Sequence, residues 1–196
     1  MINRSFDAVI FDLDGVITKT ALVHSAAWKK MFDDFLLEHS KKSGNPFVPF
    51  SHKDDYLPYV DGKPRYKGVA DFLASRGIEL PFGEVEDGND KETVCGLGNR
   101  KNDAFNEVLR RDGVEVYPST VALMKELREK GYRVGVASSS KNCEGVLEAA
   151  GLAYLVETRV DGVVSAAMGL KGKPEADIFT TAAANLGCSA ERSIVV

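Results

Sequence analysis

Cysteine is scarce in this chain. Its three copies, Cys95, Cys143 and Cys188, lie far apart with no C-x-x-C spacing. So odd and sparse a set gives no disulfide framework and fits a reducing compartment. Long apolar runs are missing as well. The residues after Met1 lead straight into a strand-like run, with no signal-peptide core, and no stretch approaches a membrane span, so the expected location is cytoplasmic. There is no basic excess: the net charge is -4 and the pI about 5.5. A nucleic-acid footprint is thereby excluded, and an anionic ligand must be held by a few local cations. Repeats and low-complexity tracts are absent. What remains is a globular composition, 44% hydrophobic and 28% charged over 196 residues. That length buries a core without metal or disulfide staples, as one domain or one domain with a large insertion. The expected partner is a small molecule, and the expected state is a monomer.

Phe6 to Phe11 is an apolar, β-branched run that reads as a buried parallel strand, ending at Asp12-Leu13-Asp14-Gly15. Trp28, Met31, Phe32 and Phe35 recur at helical spacing and predict a helix from about 20 to 40, with His24 on the Trp28 side. Residues 43 to 66 are rich in Pro, Gly and Asp and read as loop with at most short helical turns. Val69, Phe72 and Leu73 predict a helix stopped at Gly77. Phe105, Val108 and Leu109 predict another, ended at Gly113. From Val114 the pattern alternates: helix 118–130, strand 132–137, helix 142–150, a short strand within 157–164, helix 174–186 and a final strand 193–196. Such alternation indicates an α/β fold with a parallel sheet covered on both faces. The economical division is a discontinuous core, residues 1–19 and 113–196, and a helical insertion, residues 20–112.

Three polar clusters fall where strands end, the place where open α/β sheets gather ligands. Asp12 and Asp14 repel each other unless a cation or shared proton intervenes, and a hard divalent ion such as Mg²⁺ would serve. A carboxylate there can also attack phosphorus, and Gly15 permits close approach. The pair equally reads as a solvated Asp-Gly turn. Ser138, Ser139 and Ser140, followed by Lys141 and Asn142, offer hydroxyl and N–H groups to phosphate, or an ordinary helix N-cap by Ser139 or Ser140. Lys173, before Pro174, offers a point charge or is solvated.

Taken in order, Phe11–Val16 (FDLDGV), Val136–Ser140 (VASSS) and Gly172–Phe179 (GKPEADIF) resemble the motifs of the haloacid dehalogenase superfamily of phosphotransferases. The resemblance spans the chain and implies a Rossmann-like core with an inserted α-helical cap. It implies that Asp12 is the nucleophile and a Mg²⁺ ligand. Asp14 would be the general acid/base and meet the metal through its carbonyl. Ser138 and Lys173 would hold the transferring phosphoryl group. The opening FDLDGVITKTALVHSAAW is similar to the β-phosphoglucomutase-like subfamily. That likeness makes His24 and Trp28 active-site neighbours on the cap side and places Thr20 at the hinge. DGKPRYKGVADFL resembles a cap segment in which Arg65 binds the distal phosphate, with Gly62 and Lys63 beside it. GNRKNDAF makes Lys101 a substrate contact, and SSSKN brings in Ser139, Ser140, Lys141 and Asn142. On residues alone, His24 also reads as a core histidine, and Arg65 and Lys101 as surface charges.

The stretch from Lys41 to Tyr59 is longer than the subfamily pattern, which leaves the sugar open. The family's last acidic motif should follow the strand at 193–196, so further metal ligands are expected beyond residue 196. The 196 residues alone are expected to be weakly active at most. The implied activity is that of a mutase interconverting a β-sugar 1-phosphate and its 6-phosphate through an aspartyl-phosphate and a bisphosphate. A Mg²⁺-dependent phosphatase would use the same Asp12 and Asp14, with water as acceptor. A non-catalytic binding domain on this fold is a third reading.

Overall fold

A computed structural model describes residues 5–196. Residues 1–4, counted above with the core, lie outside them. Four short parallel strands form one sheet: β1 (Ala8–Phe11), β2 (Arg133–Ala137), β3 (Thr158–Val160) and β4 (Ser193–Val195), in the order β3-β2-β1-β4. In the register, Ala8 lies against both Arg133 and Ser193. All four residues of β1 are buried, as a strand covered on both faces requires. The helices are α1 (Thr20–Ser43), α2 (Leu57–Tyr59, a single turn), α3 (Arg65–Ser75), α4 (Val94–Asp112), α5 (Pro118–Glu129), α6 (Cys143–Ala149), α7 (Gly162–Met168) and α8 (Asp177–Asn185).

The chain divides into two compact units. The sheet unit runs up to Ala21 and resumes over Gly113–Val196, and the inserted unit is Leu22–Asp112. In the sheet unit, Ile178, Ala182 and Ala183 of α8, with Leu186 at its C-cap, pack on Ala8, Ile10, Ala137 and Val160. The inserted unit has its own aromatic centre. The rings of Phe32 and Phe72 lie 4.1 Å apart, and Phe50 is 5.0 and 4.9 Å from them. Offset and edge-on rings of this kind add to what area burial alone supplies. Among the described residues, no helix is long and apolar enough to cross a membrane.

Several boundaries differ from the sequence reading. α4 begins at Val94, eleven residues before the Phe105 that marked it. Glycines at 96 and 98 hid its first turns from a reading based on apolar spacing. The short strand expected within 157–164 is β3, but α7, which begins in that stretch and runs to Met168, was missed; its start is fixed by Asp161, whose carboxylate accepts from Val163 N and Val164 N, both at 3.0 Å. α8 starts at Asp177 instead of Pro174, because residues 174–176 turn and Asp177 reaches back to accept from Lys171 N. The N-cap of α6 is Asn142, without a side-chain cap bond. Ser139 and Ser140 are therefore not its caps. Within residues 43–66, read as loop with at most short helical turns, such turns occur, and the stretch is pinned: Phe50 N donates to Asp33 Oδ1 at 2.7 Å, and a short π-helical turn spans His52–Tyr56. Arg76 pairs with the buried Asp55 at 2.6 Å.

Candidate active site

The carboxyl ends of β1 and β2 are neighbours because the strands pair in parallel, so the loops at 12–15 and 138–142 meet at one edge of the sheet unit. Asp12 leaves β1 with its backbone N–H bonded to Val196 O, and its Oδ1 accepts from Leu13 N at 2.8 Å. Its other oxygen meets Lys173 Nζ at 2.5 Å, which brings together two residues 161 positions apart. Burial pushes the Asp12 carboxyl above its usual range, and the Asp14 charge adds to this. Lys173 pulls it down without cancelling the rise. Gly15 turns the loop at φ 84°, a left-handed conformation that suits glycine. The Asp14 carboxylate accepts from the Thr20 hydroxyl, and Thr20 Oγ1 lies 2.6 Å from Thr18 Oγ1, both threonines being buried.

Ser138 is buried at the end of β2. Its N–H donates to Val160 O, and its Oγ accepts from Ser140 N at 3.1 Å. Ser140 Oγ accepts in turn from Asn142 N at 3.2 Å. Gly162 backs this loop: a Cβ there would stand 2.7 Å from Ser139 O and 3.0 Å from Lys141 N. Ser139, Lys141 and Asn142 thus belong to one compact loop, with Cys143 just beneath. Burial pushes the Cys143 thiol far up, and the Asp161 and Asp14 charges act the same way, which leaves it a neutral packing group.

For a metal, the donor chemistry fits a hard divalent ion. Two carboxylates stand two residues apart on one turn, and the burial of one is made harder by the charge of the other. No cluster of three or more His, Cys, Asp or Glu side chains suited to a metal occurs among the described residues.

The inserted unit gathers a second set. Lys101 is buried, at 3% exposure, and so is not a surface charge. Its Nζ lies 2.5 Å from His24 Nδ1, 5.0 Å from the centre of the Trp28 ring and 4.9 Å from that of Phe105. His24 stacks on Phe105 at 3.9 Å. An ammonium over two ring faces is a cation–π arrangement that offsets part of its desolvation. Arg65, in the first turn of α3, is half-buried and donates to Asn102 Oδ1 at 2.7 Å. Burial pulls its pKa down, and Tyr66 and Asp103 only partly restore it. Gly98 allows α4 this close: a Cβ there would meet Tyr66 at 2.8 Å and the Arg65 stem at 3.2 Å. Gly62 precedes α3 in a positive-φ turn. Lys63 is held on Asp71 at 2.7 Å, so its charge is already paired. Thr18, Gly162, Tyr66, Asn99 and Asn102 went unassigned in the sequence, although the two asparagines stand inside the GNRKNDAF motif.

These two sets can be compared with known proteins. The family model for haloacid dehalogenase-like hydrolase matches residues 6–196. The chain is 46% identical over 188 residues to a β-phosphoglucomutase of Mycobacterium bovis, covering 96% of this chain and 72% of the relative. It is 32% identical to the β-phosphoglucomutase of Bacillus subtilis, over 93% of this chain and 70% of the relative. A crystal structure of β-phosphoglucomutase from Clostridium difficile shares the fold, with a TM-score of 0.75 at 24% identity, over 97% of this chain and 75% of that one. The chain belongs to the haloacid dehalogenase superfamily, in its β-phosphoglucomutase-like subfamily, and is an enzyme of that family.

Proposed function

We propose that this enzyme is a phosphosugar mutase that interconverts a β-sugar 1-phosphate and the sugar 6-phosphate. The observation that carries the reading is the half-buried Arg65, which has amide partners and no carboxylate ion pair among the described residues. A buried cation left so calls for an anionic ligand, and a second phosphate on the substrate supplies one. The β-phosphoglucomutases among the relatives support the same reaction.

In the proposed cycle the Asp12 carboxylate attacks phosphorus, an acyl-phosphate P–O bond forms, and the bond to the departing oxygen breaks. Lys173, already on Asp12, offsets charge on the transferring group together with Ser138 and its loop. Asp14 gives a proton to the leaving oxygen or takes one from the attacking sugar hydroxyl, a role worth roughly 10²–10⁴-fold. Thr20 orients that carboxyl. With the phosphoryl group on Asp12 first supplied by a sugar bisphosphate, the free hydroxyl of a sugar monophosphate takes it to give the bisphosphate, which returns its other phosphate to Asp12. Asp12 and Asp14 would hold Mg²⁺, which when bound neutralises charge on the phosphoryl oxygens. Arg65 holds the phosphate that is not reacting, while Lys101 and His24 contact the sugar.

The test supplies β-glucose 1-phosphate, a trace of the 1,6-bisphosphate and Mg²⁺, and follows glucose 6-phosphate and free phosphate together. Isomer without phosphate release is expected, and Asp12→Asn should lower turnover by on the order of 10⁴-fold. Phosphate release with little isomer would make the enzyme a phosphatase instead.

A further inference from the structure

The cations of the inserted unit are treated unequally. Lys63 and Arg76 in the same unit each have a carboxylate, Asp71 and Asp55. Arg65 has amides: its Nη2 donates to Asn102 Oδ1 at 2.7 Å, and its Nη1 lies 3.4 Å from Asn99 Oδ1. Asp103 acts on it only through space, its carboxylate accepting from Asn89 Nδ2 at 2.7 Å. Asn99 is fixed from both ends. Its Oδ1 also accepts from the Tyr66 hydroxyl at 2.9 Å, and its Nδ2 donates to Val85 O at 3.0 Å and Asp87 O at 2.8 Å. Two donors face its oxygen and two carbonyls face its nitrogen, so only one amide orientation satisfies all four. A carboxylate at 99 would confront two carbonyl oxygens. A carboxylate at 102 would close a charge-assisted pair on Arg65.

We propose that Asn99 and Asn102 are positioning residues that orient the Arg65 guanidinium without neutralising it, and so reserve its charge for a dianionic phosphate ester. This rests on the reading of Arg65 as a phosphate holder. It adds a requirement that the holder's own partners be uncharged. An aspartate at 102 would satisfy the guanidinium internally, and a ligand phosphate would have to displace it. Ligand binding would lose by that exchange.

The experiment titrates glucose 1,6-bisphosphate into the full chain by calorimetry with Mg²⁺ present, and records the unfolding midpoint of each variant. It compares wild type, Arg65→Ala, Asn102→Asp and Asn102→Leu, with Asn102→Glu standing in if the aspartate variant does not fold. Asn102→Asp should weaken binding by roughly ten-fold or more, and by more than Asn102→Leu, while unfolding no earlier than Asn102→Leu. A merely structural asparagine would give the opposite order, with leucine the worse variant on both measures. If Arg65→Ala weakens binding and Asn102→Asp does not, the inference is overturned while the role of Arg65 stands. If Arg65→Ala binds as wild type does, the role of Arg65 falls and the inference with it.

Discussion

Thr20 is 2% exposed, and its hydroxyl donates to Asp14 beside that of Thr18. A carboxyl that moves protons works only when aimed, and groups one step removed commonly set that aim. Thr20→Val keeps the shape and removes the bond. Turnover should fall roughly ten-fold with KM little changed, as expected for a group acting through a catalytic residue. Steady-state kinetics that left the turnover number intact would remove Thr20 from the mechanism. At this scale the sequence was most legible where chemistry leaves a motif. Asp12 and Lys173 were singled out from their settings after a strand and before a helix, and the structure brings them together. Lys63 was placed beside Arg65 by the likeness of its loop alone; its ion pair with Asp71 was not legible, since the two lie eight positions apart, outside the helical spacings from which ion pairs are read. Asn99 and Asn102 stayed silent because a neutral amide is informative only once its donors and acceptors are known.

Among the elements, β2 and β3 are tied at one end by Glu157. Its carboxylate accepts from Val134 N at 3.1 Å and pairs with Arg133 at 2.6 Å and Arg128 at 2.7 Å. Burial pushes this carboxyl up, but the Val134 amide and the two arginines outweigh it and hold it below the usual range. A depressed folded pKa means that the native state binds the proton less readily than the unfolded chain does. The stabilisation is therefore present above the ordinary glutamate value and is lost as pH falls through the folded one. Glu157→Gln should cost about 1 kcal/mol at neutral pH, the ion pairs being screened by solvent, and the difference should vanish in acid. Urea titrations at pH about 7 and about 3 read this directly; an equal cost at both would contradict the linkage. Elements were legible where apolar spacing and stop signals agreed, as in α5 between Pro118 and Gly131. They were not where a carboxylate or glycine set the start, as in α7 and α4.

At the scale of the molecule, the two units carry separate hydrophobic centres. The sheet unit resumes at Gly113, close to where the sequence pattern changes, because alternating strands and helices differ in period from an all-helical stretch. The anchoring of residues 41–59 was not readable, since Phe50 has no periodic neighbours to mark it. Separate centres predict separate opening. Phe72→Ala removes a fully buried ring, and large core truncations of this kind cost about 3–5 kcal/mol. Amide exchange within Leu22–Asp112 should quicken markedly while β1 and β2 stay protected. Uniform acceleration across both units would indicate one cooperative block.

The strand order has a consequence for biosynthesis. β1 leaves the ribosome first, yet its two sheet neighbours are encoded at 133–137 and 193–195. The contiguous stretch Leu22–Asp112 can therefore condense on its own while β1 waits, unpaired and apolar, for its neighbours to be made. Long sequence separation makes that last pairing slow. Until residues 133–137 emerge, the four residues that the folded sheet buries in β1 have no strand beside them.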